Sequence, residues 1–170
     1  MFGLDPINLM LATLFVGLLS LAVVSDLYEL RIPNRISLAL VALYPVHVIS
    51  SPVAVDWLSA LLAAVAVFGI GLIAFTLGVF GGGDVKLLTA ATLWCGLDGM
   101  FNLIVLTGVI GGIIAFVMVT KIRFSIAWGL DVLGERLVRD ALLGRAIPYG
   151  IAIAIAAGIT ASDSVLAMGS

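Results

Sequence analysis

Apolar residues run through this chain in long blocks parted by short polar breaks. The blocks are roughly Ile7 to Ser25, Ile36 to Ile49, Trp57 to Phe80, Val85 to Leu97, Phe101 to Val119 and Ile147 to Met168. Several approach the length of about 20 residues that an α-helix needs to cross a hydrocarbon core of about 30 Å. They are too many for one small soluble core. The pattern therefore predicts an all-α, polytopic integral membrane protein of about six transmembrane helices, forming a single membrane-embedded domain over residues 1–170. The second and fourth blocks are short for a bilayer. They either extend into their polar flanks or sit where other helices shelter irregular backbone. The first block has the look of a signal peptide but lacks a basic leader, and further apolar blocks follow, so it is read as structure.

Composition sharpens this picture. Of the 170 residues 63% are hydrophobic and 11% charged, whereas a soluble domain carries about a quarter charged residues. The formal net charge of −2, with eight basic residues spread between apolar blocks, gives no sign of nucleic-acid binding. The lone cysteine, Cys95, excludes an intramolecular disulfide and a multi-cysteine zinc site. The lone histidine, His47, excludes a histidine-rich metal centre within one chain.

The charges also orient the predicted helices. Arg31 and Arg35 follow the first block, Lys86 follows the third, and Lys121, Arg123, Arg136, Arg139 and Arg145 follow the fifth. With six crossings all of these fall on one side, while Asp5, Asp56, Asp98 and Asp163 occupy the other. Short loops rich in Lys and Arg stay cytoplasmic. The expected orientation thus puts the odd-numbered loops in the cytoplasm and both termini outside. The last of these loops, Lys121 to Arg145, spaces Phe124, Trp128, Leu133, Leu137 and Leu142 as one helical face, with Arg136 and Arg139 nearer the headgroups. It reads as an amphipathic interfacial helix or as a helix packed on the cytoplasmic end of the bundle.

Two carboxylates then fall on the same face. Asp26 stands where the first block leaves the membrane and Asp84 where the fourth enters it. Gly81, Gly82 and Gly83 strip side-chain bulk from the approach to Asp84, which lets another chain come close. After Asp26, Pro33 restricts the backbone and Asn34 is placed to cap the next helix. Glu29 is a solvated loop charge or the fallback partner. Lys86 is either a headgroup anchor or an electrostatic aid to the aspartates or the substrate. Two carboxylates brought together can share a proton and activate water, which suits amide hydrolysis with no metal or cofactor. Other chemistry is short of parts. His47 lies at the outer end of its helix, so a serine or cysteine nucleophile lacks a base on its own face. Cys95 reads as a core thiol, and GGGDVK lacks the spacing of a Walker loop.

Asp26 with Ile32-Pro33-Asn34, then Gly81-Gly82-Gly83-Asp84-Val85-Lys86-Leu87, then Ile147-Pro148-Tyr149-Gly150, resembles the prepilin peptidases. These are Gly-x-Gly-Asp aspartic proteases of the bacterial inner membrane. The likeness is nearest to the short branch associated with tight-adherence, or Flp-type, pilus assembly. It implies a catalytic pair of Asp26 and Asp84, with Gly81, Gly83, Lys86, Pro33 and Asn34 around the substrate's approach. It also implies a prepilin partner whose basic leader is cut after a glycine at the cytoplasmic face. Larger relatives carry paired zinc-binding cysteines and methylate the new amino terminus. This chain has no CxxC pair and only Asp26 to Arg35 between the first two blocks, so peptidase activity alone is expected. Other Gly-x-Gly-Asp proteases pair the motif with Tyr-Asp, whereas Val24-Ser25 precede Asp26 here. The competing reading is a non-enzymatic scaffold or small transporter. Transporters bury charge near mid-membrane, and the predicted helix interiors hold almost none.

If the aspartates carry the reaction, the other reactive side chains are dispensable. Purified His47→Ala and Cys95→Ala variants are expected to cleave prepilin at the parental rate, with or without a chelator. Loss of turnover in a folded variant would point to different chemistry.

Overall fold

The computed structural model describes residues 6–51, 54–120 and 149–167. Every regular element within them is helical: α1 (Pro6–Glu29), α2 (Asn34–Ser50), α3 (Trp57–Thr76), α4 (Gly82–Val119) and α5 (Tyr149–Ala167). By length and composition α1, α3 and α4 are each able to cross a membrane, and α2 and α5 are shorter apolar helices. The amphipathic stretch Lys121 to Arg145, with its five basic residues, lies outside the described residues, as do Asp5 and the Ile147-Pro148 pair.

α4 is two helical arms rather than one rod. Gly96 alone within it leaves helical geometry, at φ 68° and ψ −175°, a region open essentially to glycine. Carried straight on, the helix would place Gly111 about 44 Å from Gly82. Instead a Cβ on Gly111 would stand 3.0 Å from the Tyr149 ring. That ring lies 5.2 Å, centre to centre, from Phe80, just before Gly82. The chain therefore doubles back at Gly96, and the two arms coincide with the blocks around Val85 to Leu97 and Phe101 to Val119.

Small residues let the helices close on one another. α3 presents Ala60, Ala63, Ala64 and Val67, at i, i+3, i+4 and i+7, as its buried stripe. It packs against α4, where Leu93 joins Ala60, Ala64 and Tyr44 of α2 in one cluster. α5 buries Ala152, Ile153, Ala154, Ala156 and Ala157, and α4 is the helix it contacts most. Close approach through Gly and Ala is how helices associate where lipid removes the hydrophobic incentive. Trp94 adds a polar tie, its indole N–H donating to the Leu40 carbonyl at 2.8 Å. Its ring stacks on His47 at 5.1 Å and lies 4.7 Å from Phe15. Large apolar side chains such as Leu21, Leu38, Ile70, Ile113 and Phe116 stay exposed on the outside of the bundle, as lipid contact requires.

Two expectations at helix ends are corrected. The third block was expected to continue to Phe80, but α3 ends at Thr76. Gly78 adopts φ +72°; its N–H reaches the Phe75 carbonyl and that of Val79 the Ala74 carbonyl. This is the Schellman arrangement, and it turns Val79 and Phe80 out of the helix. Asn34 was expected to cap α2. Pro33 holds the capping position instead, extended at φ −62° and ψ 135° with no side-chain cap bond, and Asn34 is the first helical residue. The Asn34 amide oxygen is engaged by Lys86 across the bundle.

These contacts also sort the ends of the bundle. Gly71 of α3 lies against Val85, with a Cβ position 2.7 Å from its Cγ1, and Gly99 lies against Thr160 at 2.9 Å. Asp26, Arg31, Asn34, Gly81 to Asp84, Lys86 and Tyr149 consequently share one end, and Asp56 and Asp98 the other.

The Gly96 turn offers a clean test. A Cβ there meets nothing within 4 Å, so Gly96→Ala suffers backbone strain alone, about 1–3 kcal/mol. Gly108, also without neighbours within 4 Å, is helical, and Gly108→Ala should be neutral or gain about 0.5–1 kcal/mol. Unfolding in detergent should show opposite shifts for the two variants.

Candidate active site

Three chain breaks meet at one end of the bundle. The first is the turn after α1. Leu30 takes φ 50°, and its N–H donates to the Asp26 carbonyl at 3.0 Å, an αL closure of the helix. A bulky residue in this conformation costs roughly 1–2 kcal/mol. The Ser25 hydroxyl, donating to the Arg31 carbonyl at 2.9 Å, braces the turn. Its product is a reversal that sends Ile32 into the core, 4% exposed, while Asp26 stays on the inner face of α1.

Asp26 is 5% exposed. A carboxylate so enclosed needs donors, because burying an unpaired charge is prohibitive. The N–H of Gly150, at the start of α5, donates to its Oδ2 at 2.8 Å within the protein. The second break is the α3–α4 turn. Asp84 lies in the first turn of α4, half-buried, and its Oδ2 accepts the Gly81 N–H at 3.2 Å. A carboxylate at a helix N-terminus is favoured by the exposed N–H groups there. The third break is the start of α5. Here Tyr149 packs on Phe80 at 5.2 Å.

Between them lies a cavity of about 700 Å³. Asp26 and Asp84 both line it, together with Asn34, Gly81, Gly82, Gly83 and Lys86. The two carboxylates are near enough for the charge of Asp26 to act on Asp84. Arg31, Leu30, Ile32, Gly78, Val79, Phe80 and Tyr149 complete the wall, so it is polar around the acids and apolar beside them. Lys86 Nζ donates to Asn34 Oδ1 at 2.8 Å, tying α2 to α4 at the exposed rim.

The structure thus brings together Asp26, Asp84, Gly81, Gly83, Lys86 and Asn34. Pro33 is not among the residues lining the cavity and acts through the backbone leading into α2. His47 and Cys95 lie at the opposite end, against Trp94 and Gly99 respectively. Among the described residues no three His, Cys, Asp or Glu side chains gather as a metal cluster would. Sequence reasoning singled out the Tyr149-Gly150 pair without giving it a role, and it missed Phe80. A glycine at a helix start, after proline and tyrosine, was the available signal for the first. Phe80 was hidden within an apolar block.

The profile of the type IV leader peptidase family matches residues 13–116, well over half of the chain, including both aspartates and the glycine run. The chain belongs to that family. Comparisons with curated proteins and with solved structures return no match. Membership makes the chain a peptidase and, with its apolar helices, a membrane protein. In this leader peptidase family member the glycines beside Asp84 have separable tasks. A Cβ on Gly83 would stand 3.1–3.3 Å from the Cβ, N and O of Ile32, which are backbone or next to it and have little freedom to yield. A Cβ on Gly81 would stand 2.8 Å from Asp84 Oδ2, and one on Gly82 would meet only the Phe75 ring edge at 3.4 Å.

Alanine at the three positions should therefore part three ways. Gly82→Ala should keep stability, with any effect on cleavage confined to KM, since the methyl meets only the Phe75 ring edge but borders the peptide's approach. Gly83→Ala should lose about 1–3 kcal/mol of stability through overpacking. Gly81→Ala should fold normally yet lose activity, because the atom that must move is the carboxylate. Thermal melts and cleavage assays on the same preparations separate the three.

Proposed function

We propose that this chain is an aspartic leader endopeptidase that removes the leader from type IV or Flp-type prepilins at the cytoplasmic membrane face. The observation that carries the reading is the convergence of Asp26 and Asp84, from separate helices, on one glycine-lined cavity. Family membership supports a prepilin substrate. The short α1–α2 turn, residues 30–33, supports peptidase action without methyl transfer. The end that holds the aspartates also holds Arg31, Arg35 and Lys86, which supports a cytoplasmic location in the inner membrane, with both termini outside.

The chemistry follows from the pair. Water between the carboxylates attacks the carbonyl carbon of the scissile peptide. One carboxylate takes the proton that the water loses, and its partner, holding a proton, gives it to the carbonyl oxygen. The tetrahedral diol then collapses: the leaving nitrogen takes up the proton of the pair as the C–N bond breaks, and a diol hydroxyl returns its proton to the pair, which ends with the one proton it began with. Two carboxylates in one enclosed space hold one negative charge more readily than two. The proton belongs to the pair, and neither aspartate has a fixed role. The wide glycine face at Gly81 to Gly83 gives an extended peptide room beside Asp84, and the apolar wall suits residues leading into a hydrophobic helix.

Asp26→Asn and Asp84→Asn separate this reading from a scaffold. An asparagine oxygen still accepts from Gly150 or Gly81, so each variant should fold and insert. Cleavage of a reporter prepilin in detergent or vesicles should fall by roughly 10²–10⁴-fold, the usual weight of acid–base catalysis. Near-normal cleavage by either purified variant defeats the dyad.

A further inference from the structure

Gly150 is the second residue of α5, where a helix N–H has no carbonyl of its own helix to bind. Its partner is instead Asp26 Oδ2, at 2.8 Å and buried. The approach is as close as it is because Gly150 has no side chain. A Cβ there would stand 2.7 Å from Asp26 Oδ2, 3.0 Å from Asp26 Cγ and 3.0 Å from Ile32 Cδ1. One chemical group and one missing group thus act on the same carboxylate. The amide holds one oxygen, and the empty space lets the carboxylate sit against the helix end.

We infer that Gly150 is a positioning residue for the peptidase, fixing Asp26 by its backbone amide so that the free oxygen faces the cavity and the attacking water. The inference rests on the aspartate reading above. It adds α5, which lies beyond the matched residues 13–116, to the parts the reaction depends on. A carboxylate on a freely turning side chain must lose that freedom at each turnover. One already held by an amide does not, and displacement of a reacting group by about 1 Å is able to cost on the order of 10²-fold in rate. Gly83 sets the matching restraint from the other side, since its close approach to the Ile32 backbone fixes the turn after Asp26.

The test uses the full-length chain in detergent with a reporter prepilin of basic leader, glycine and apolar helix. Gly150→Ala gains helix propensity but crowds Asp26 and Ile32, so a purely structural role predicts a less stable protein whose folded fraction keeps the parental kcat. The positioning role predicts kcat lower by roughly 10–100-fold, with KM for the reporter within about twofold. Adding Ile32→Val removes Cδ1 and relieves that contact but not the one with Asp26, so it should not restore kcat. Hydrogen exchange supplies a reading free of activity. Asp26→Ala should speed exchange of the Gly150 amide, while Asp84→Ala should leave it slow. Parental kcat in Gly150→Ala, rescue by Ile32→Val, or Gly150 exchange indifferent to Asp26→Ala would each overturn the inference. Should the unaltered chain cut no prepilin while exchange responds as stated, the peptidase reading fails and the anchoring of Asp26 stands.

Discussion

A carboxylate enclosed at the end of an apolar bundle has to be supplied with donors, and the architecture around Asp26 answers that requirement. Water is scarce among lipid-facing helices, so the donor has to come from the protein. A helix N-terminus is the one backbone feature with spare N–H groups. The start of α5 therefore docks on the end of α1, and the small-residue face of α5 against α4 follows from the same docking. Asp84 solves its own problem locally, through Gly81 at the start of α4. Among the described residues the acids are thus held by backbone amides at the starts of two different helices. Lys86, at the rim, donates to Asn34.

Backbone amides reach side chains only if the chains come close, and this explains where glycine falls. Gly83 admits the turn after Asp26, Gly150 admits Asp26 itself, and Gly71 admits Val85 beside Asp84. Gly78 and Gly96 serve differently, supplying backbone angles that end α3 and reverse α4. Together with Gly81, which holds Asp84, these glycines set where the two aspartates lie. Leu30 is the exception, a large side chain in a left-handed turn, held by the Asp26 carbonyl and the Ser25 brace.

Much of this was legible in the sequence. Apolar blocks of membrane length predict helices, and a run of glycines before an acid at a block boundary marks a place where chains approach. The distribution of Lys and Arg by itself puts Asp26 and Asp84 at one end. Helix ends were less legible. The apolarity of Leu77 to Phe80 masked the Schellman turn, because that turn depends on the left-handed angle of one glycine rather than on polarity. Asn34 has the side chain of a capping residue, yet it stands one place inside the helix, after Pro33, and its oxygen accepts from Lys86. Gly150 was unreadable as an Asp26 partner, since a contact made by a backbone N–H leaves no trace in side-chain chemistry.

The two arms of α4 are unequal in length. From Asp84 to Gly96 the first arm climbs only about 18 Å, and beyond Gly111, level with Tyr149, the second arm carries on for a further 12 Å or so to Val119. The turns at 30–33 and 77–81 stop at the height of the acids. The second arm therefore reaches past the level of both turns, and none of its residues lines the cavity. That extension has no part at the acids, so its length is able to change without moving Asp26 or Asp84.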